Sequence, residues 1–293
     1  MQFEVDIIKA LQTLQNGFLT GLNQVFSFFG TETFFMIVAL VVYWCVDKKF
    51  GHRFFNVYIL GVAVTNVMKL GFKRTRPFDA YPDTVQSLQE KETSFSFPSG
   101  HTETISSVSA LLTIKYGKRY KIIPIIGAIL IILVMLSRMY LGQHYLSDVF
   151  CGLTVGVFSA IAFSALMSLF KDKEEWFLVP AVVITAAVIG VLAGLGKLAD
   201  SPDMLKGLGA FVAFDIGYFI EKHFVRYDVS RNRKWWAIVI KLIVGGGITV
   251  AIQQGFKLFL PESIPMLYCF VRYLIMAGWA AVAAPAIFKA CKI

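Results

Sequence analysis

Charge is what this sequence has little of. Only 16% of its 293 residues are charged and 57% are hydrophobic, whereas a soluble globule carries roughly 25% charged residues. So few charges cannot cover a globular surface, which excludes a soluble protein, a disordered chain and a collagen-like one. Cysteine is scarce too. Cys45, Cys151, Cys269 and Cys291 lie in or beside apolar runs without paired or metal-ligand spacing, which excludes a disulfide scaffold and fixes no redox compartment. A secretory signal is not expected, because Met-Gln-Phe-Glu-Val-Asp is acidic where such a signal needs positive charge. No long repeat, low-complexity tract or soluble linker domain interrupts the chain.

What the chain has instead is apolar length. A bilayer core about 30 Å thick needs about 20 apolar residues per helix. By that ruler the expectation is an all-α polytopic membrane bundle with about nine spans, near 33–46, 54–72, 102–116, 122–138, 145–170, 177–195, 207–224, 235–258 and 264–288. Ahead of them, Ile7, Ile8, Leu11, Leu14, Phe18, Leu22 and Phe26 recur at helical spacing while Gln12, Gln15 and Asn16 break the run. That pattern predicts an N-terminal amphipathic helix on or partly inserted into the membrane surface.

The net charge of +9 would point to nucleic acid in a soluble chain, but in a membrane protein it orients the spans. If the spans alternate, sixteen of the 28 basic residues fall on one side and ten on the other, with Lys241 and Arg272 inside spans. The richer side is expected to be cytoplasmic, and no nucleic-acid partner is needed. The run Lys69, Lys73, Arg74, Arg76 falls on the opposite side and needs another reason to be there, since a basic run beside a span is ordinarily an anchor.

The polar residues of that outer side supply the reason. They come in three groups: Lys69 with Arg76-Pro77, then Pro98-Ser99-Gly100-His101, then Ser137-Arg138 with His144 and Asp148. Lys69, Arg76 and Arg138 suit a phosphate, arginine binding two oxygens at once. Ser99 and Gly100 open the third span, where unpaired N–H groups and the helix dipole favour an anion and glycine leaves room for it. Arg76 precedes proline and is biased to extended geometry that ends the second helix. His144 and Asp148, four residues apart at the start of the fifth span, are expected on one helix face, the carboxylate fixing the imidazole tautomer. His101, on another helix, can protonate a leaving group.

These positions resemble the three-part signature of the type 2 phosphatidic acid phosphatase superfamily, over a motif stretch of 69–148 and a helical core of about 1–170. The resemblance implies a six-helix core and a metal-independent phosphomonoesterase or diphosphatase that needs no cofactor. His144 would carry a phosphohistidine, Asp148 would orient it, His101 would protonate the leaving group, and Lys69, Arg76, Ser99, Gly100 and Arg138 would hold the phosphoryl oxygens. It implies a lipid phosphate substrate, polyprenyl diphosphate or phosphatidate being favoured over sphingoid or soluble phosphates. Membrane lipids would be its surroundings, in the plasma membrane, with the pocket on the extracytoplasmic face. A phosphotransferase that passes the phosphoryl group to an alcohol shares the same signature, and a transporter retaining an inactive pocket is the non-enzyme alternative.

Other residues carry plainer expectations. Lys73 and Arg74 fall outside the signature and are expected to meet lipid phosphates at most. Glu103 complements a helix dipole. Asp215 is expected to pair with Lys241 or Arg272, since ionisable groups inside spans face a partner or cavity. His52 and His223 are placed in cytoplasmic loops with no role, and Gly245-Gly246-Gly247 permits close packing or a kink. The helices of 171–293 carry no motif; a lateral groove for a lipid tail, substrate recognition and a homodimer surface are all open to them.

Overall fold

The computed structural model describes residues 2–198, 201–231, 234–259 and 265–293. The described residues divide into two compact units, one of 1–37 and 57–165, the other of 38–56 and 166–293. Segment 38–56 thus belongs with the C-terminal helices, although it precedes the signature in sequence.

Unit 1 begins with α1 (Gln2–Gln12) and α2 (Gly17–Phe28), separated at Asn16, whose side chain caps α2 by accepting from the Leu19 amide at 2.9 Å. The single N-terminal helix expected from the sequence is therefore two. α1 does not lie free: Val5 and Ile8 are buried against Val85, Met135, Met139, Tyr145 and Val149. α3 (Glu32–Val41) follows, then α4 (Lys48–Phe72), the one-turn α5 (Pro77–Ala80), α6 (Gly100–Tyr116), α7 (Ile122–Tyr140) and α8 (Leu146–Ser168). α6 packs on α7, and both α1 and α2 pack on α7. α8 approaches α6 closely at Gly152 and Gly156, where a Cβ would lie 2.5 Å from the carbonyl oxygens of Ser99 and Glu103 respectively.

Unit 2 contains α9 (Leu178–Gly194), α10 (Pro202–Ile220), α11 (Trp235–Phe259), α12 (Pro265–Gly278) and α13 (Ala284–Ala290), with α10 packed on α12 and α9. Wide π turns at Val42–Val46, Glu221–Val225 and Trp279–Ala283 widen the helices. Trp44 and Tyr43 donate to the carbonyls of Ala280 and Ala281 at 2.8 and 3.1 Å, satisfying groups inside the last of these turns. Of the glycine run, Gly245 packs against the Trp44 ring, while Gly246 and Gly247 have open space beside them.

The protein is a multi-pass integral membrane protein. Among the described residues six helices are long and apolar enough to cross a bilayer, and α2 with the α3 segment pass together across a 48° bend as a seventh. The segments at 102–116 and 207–224 are helical but fall short. Both are interior: α6 buries Thr102, Glu103, Thr104, Ser106, Ser107 and Ser109, and α10 buries Phe211, Phe214 and Asp215. A helix shielded by protein need not be apolar all round. The start of the ninth expected span, residue 264, lies outside the described residues.

Asp215 pairs with neither cation proposed for it. Its carboxylate lies 2.6 Å from His52 Nε2 and accepts from Asn56 Nδ2 at 3.1 Å, and His52 stacks on Tyr218. His52 and Asn56 stand one turn apart inside α4, so the helix begins at Lys48, a turn and a half before the expected span, and His52 is a buried helical residue instead of a loop one. Arg272 lies against the Tyr268 and Tyr273 rings, and Lys241, also buried, 5.5 Å above the Tyr227 ring.

Candidate active site

All eight expected site residues fall within unit 1, and the local backbone explains how each arrives. α4 stops because Lys73 adopts a left-handed conformation (φ 47°). Arg76 is extended (φ −71°, ψ 153°) ahead of Pro77, as a residue before proline should be, and Pro77 opens α5. The chain therefore turns back, and Lys69 Nζ and Arg76 Nη2 both donate to Ser94 Oγ at 3.0 Å. Arg76 also donates to the carbonyls of Ser94 (2.7 Å) and Gln143 (3.1 Å).

Ser99 caps α6, its hydroxyl accepting from the Thr102 amide at 3.4 Å while its own amide donates to the Asp148 carbonyl at 3.0 Å. Gly100 and His101 begin the helix, so the first turn's free N–H groups face the same region as the cations. Gly100 has nothing within 4 Å of where a Cβ would stand. Its open face is the one an anion would approach.

Arg138, fully buried, ends α7. The amides of Gln143 and His144 both donate back to the Arg138 carbonyl, at 3.0 and 3.3 Å. Gly142 makes this reversal possible with φ +73°, and a Cβ there would collide with the Gln86 carbonyl. His144 is held against Arg138 by that turn and precedes α8, which starts at Leu146. The expectation of His144 and Asp148 sharing a helix face is corrected accordingly. His144 Nδ1 lies 3.5 Å from Asp148 Oδ2 without hydrogen-bond geometry, and Nε2 is 3.2 Å from Arg76 Nη1.

Asp148 is itself fixed by Ser96 Oγ (2.5 Å), the Tyr145 amide (2.9 Å) and Arg74 Nη1 (2.7 Å). Arg74 also bonds Ser147 and, from α1, Glu4. It is thus a partner of the site's carboxylate, contrary to the expectation that it meets only lipid phosphates.

The sequence reading missed the residue at the centre. Glu92, in the segment between α5 and α6, places one carboxylate oxygen 2.6 Å from Arg76 Nη2 and the other against Arg138 Nη2, with His101 Nδ1 3.6 Å away. Arg138 Nη1 donates to Ser27 Oγ of α2 at 2.7 Å. Burial raises the Glu92 proton affinity, but Arg138, His101, His144 and Arg76 outweigh it and hold the carboxyl far below the usual range. Burial, then Arg138, lowers His101 to about 3; burial, then Arg76 and Arg138, holds His144 well below the ordinary histidine value. One carboxylate thus bridges two guanidinium groups beside two imidazoles, an oxyanion held in the cradle. Ser94, Ser96, Ser27 and Glu92 lie in stretches that read as ordinary polar loop or helix surface, and no signal in the sequence singled them out.

Comparison with known proteins bears directly on this geometry. Residues 50–172 match the profile of the PAP2 superfamily, and residues 205–293 match that of the PAP2 superfamily phosphatase transmembrane extension. An undecaprenyl-diphosphatase of Sulfolobus acidocaldarius is 29% identical over 155 residues, 53% of this chain and 73% of that protein. A probable sphingosine-1-phosphate phosphatase of Dictyostelium discoideum is 28% identical over 204 residues, 64% of this chain and 49% of the relative. Phosphatidylglycerophosphatase B of Bacillus subtilis is 35% identical over 92 residues, 28% of this chain and 45% of the relative. The chain thus spans about half the length of the last two.

Proposed function

Since this chain belongs to the PAP2 superfamily, a superfamily of metal-independent phosphatases, we propose that unit 1 hydrolyses a lipid phosphate through a phosphohistidine on His144. The observation that carries the reading is the convergence of Lys69, Arg76 and Arg138 on one centre beside His144 and His101, with a carboxylate already bridging two of the cations. A phosphoryl group offers two or more anionic oxygens that a guanidinium fork binds in pairs, which is the kind of anion such a cradle accepts.

In this mechanism the phosphoryl oxygens displace Glu92 and are held by Lys69, Arg76, Arg138 and the first-turn amides after Ser99 and Gly100. His144 Nε2, facing Arg76 with Nδ1 toward Asp148, attacks phosphorus; an N–P bond forms as the bond to the leaving oxygen breaks. His101 gives the leaving oxygen its proton. The charge on a bound phosphate raises the proton affinity of His101, offsetting what burial and Arg138 take away. Water then attacks phosphorus, passing a proton to His101; the N–P bond breaks and phosphate leaves. Asp148, held by Ser96, Arg74 and the Tyr145 amide, keeps the His144 ring oriented.

The pocket's position at helix ends supports a location at headgroup depth, and the distribution of basic residues supports an extracytoplasmic one. The relatives' activities on undecaprenyl diphosphate, sphingosine 1-phosphate and phosphatidylglycerophosphate define the test. Purified protein in EDTA is incubated with a polyprenyl diphosphate, phosphatidate, a sphingoid 1-phosphate and glucose 6-phosphate, and phosphate release is measured. Release from a lipid substrate is expected. Release from glucose 6-phosphate alone, a strict Mg²⁺ requirement, or transfer to an added alcohol in place of phosphate release would each overturn the reading.

A further inference from the structure

Beside the cradle, unit 1 contains a second cavity of about 220 Å³, walled by α4, by the first turn of α6 and by the turn leading into α3. Lys69, Gly100 and His101 line one end, so it opens onto the groups that would hold the phosphate. Its remaining wall is mixed: Tyr58 and Val62 give it apolar surface, and Thr65, Asn66, Glu103 and Thr104 give it polar groups.

Two of these groups lack partners. Glu103 is wholly buried, and its Oε2 has no hydrogen-bond partner; the Thr65 hydroxyl, 3% exposed, has none either. Glu103 has room here because residue 61, one helix over, is a glycine, whose Cβ would lie 2.5 Å from Glu103 Oε1. Oε1 lies 2.8 Å from the Ser107 hydroxyl, which is also 3.1 Å from the Gly156 carbonyl. One hydroxyl proton serves both contacts only if Glu103 carries a proton on Oε1. Oε2 is then a carbonyl-type acceptor, and if Glu103 is ionised it is a carboxylate acceptor. Either way it needs a donor, and a buried acceptor without one is costly.

We propose that this cavity receives the first few atoms of the leaving alcohol and selects phosphate esters carrying a hydroxyl or ammonium donor close to the ester oxygen. The inference rests on the phosphatase reading of the adjoining cradle. The spacing supports it. Thr65 lies one turn below Lys69 and Glu103 three residues beyond Gly100, about 6 Å and about 4.5 Å along their helices respectively, which is two to four bonds past an ester oxygen. A glycerol-type or amino-alcohol skeleton offers a donor there. A prenyl chain offers none, and the leaving group of a prenyl diphosphate is a second phosphate, rich in acceptors, that would meet an acceptor.

The test compares kcat/KM for three monophosphates of matched chain length, using the full chain in lipid nanodiscs: a sphingoid 1-phosphate (ammonium and hydroxyl), a lysophosphatidate (hydroxyl only) and an alkyl phosphate (no donor). Wild type is expected to favour the donor-bearing pair by about ten-fold or more. Ranking the first two tells an ammonium from a hydroxyl. In Glu103→Leu and Thr65→Val the preference is expected to fall to within about three-fold; Thr65→Val, which keeps shape, decides the matter should Glu103→Leu not fold. An unchanged preference in Thr65→Val and in folded Glu103→Leu, or a wild type that favours the alkyl phosphate, overturns the proposal. No phosphate release from any of the three, with release from a polyprenyl diphosphate, overturns this proposal alone; no release from that substrate either overturns the phosphatase reading beneath it.

Discussion

The two units bury charge in opposite ways. In unit 2 the buried acids each meet a cation or a histidine: Glu221 lies 2.6 Å from Lys48, Glu175 2.6 Å from Lys222, Glu174 bonds Arg53, and Asp215 bonds His52, while Lys241 and Arg272 lie against tyrosine rings. In unit 1 Arg76 and Arg138 share the single carboxylate of Glu92, and Lys69 stands beside them bonded only to a serine hydroxyl. Matched pairs hold a fold together and leave nothing for a ligand to neutralise. A buried surplus of one sign is expensive without a counter-charge, and a bound anion would offset that expense.

The comparison breaks most visibly at the surplus. Arg138→Ala should lower kcat/KM for phosphate release by about 100- to 1,000-fold while the protein remains folded, as loss of one positioned transition-state donor does. A loss under three-fold would mean that Arg138 merely anchors α2 through Ser27. In unit 2 the corresponding experiment reads stability. Asp215→Ala should cost about 3 kcal/mol by removing one side of a buried pair, while the double replacement His52→Leu with Asp215→Leu should recover most of it. Thermal or denaturant unfolding in detergent checks this, and a double variant no more stable than the single one would contradict it.

The pH profile sharpens the contrast further. An attacking His144 must be neutral, and burial with Arg76 and Arg138 lowers its proton affinity in the free enzyme. The acid limb of kcat/KM due to its protonation should therefore lie below the ordinary histidine value of about 6.5. Removing a cation raises the affinity, so in Arg76→Ala the limb should move up in pH. A wild-type limb above 7 would count against His144 as the attacking group. The smallest effect belongs to Glu92. An oxyanion no longer has to displace a carboxylate in Glu92→Gln, so vanadate should inhibit it about five-fold more tightly, measured as Ki; weaker inhibition would mean that Glu92 chiefly holds the arginines in place.

Much of unit 1 was legible because its chemistry is written as spacing. The expected span 122–138 is seen as Ile122–Tyr140 and, in unit 2, 177–195 as Leu178–Gly194, since long apolar runs leave little choice of structure. Lys69, Arg76, Ser99, Gly100, His101, Arg138, His144 and Asp148 gather in one unit as anticipated. Groups that become meaningful only through contacts made far along the chain were not legible. Glu92 and Ser96 look like any polar loop until Arg138 and Asp148 meet them. His52, within the basic run from Lys48 to Arg53, reads as part of a solvated loop until α10 supplies Asp215. α6 and α10 do not meet the length and hydropathy expected of a lipid-facing span, because their faces are buried against their own unit.

The central claim is the covalent step on His144. Purified protein mixed with substrate labelled in the phosphoryl group, quenched in base within a single turnover and digested, should yield an acid-labile, base-stable phosphopeptide containing His144. The label should vanish in His144→Ala together with at least about 1,000-fold of the phosphate release. Label on any other residue, or full turnover in His144→Ala, would contradict the account.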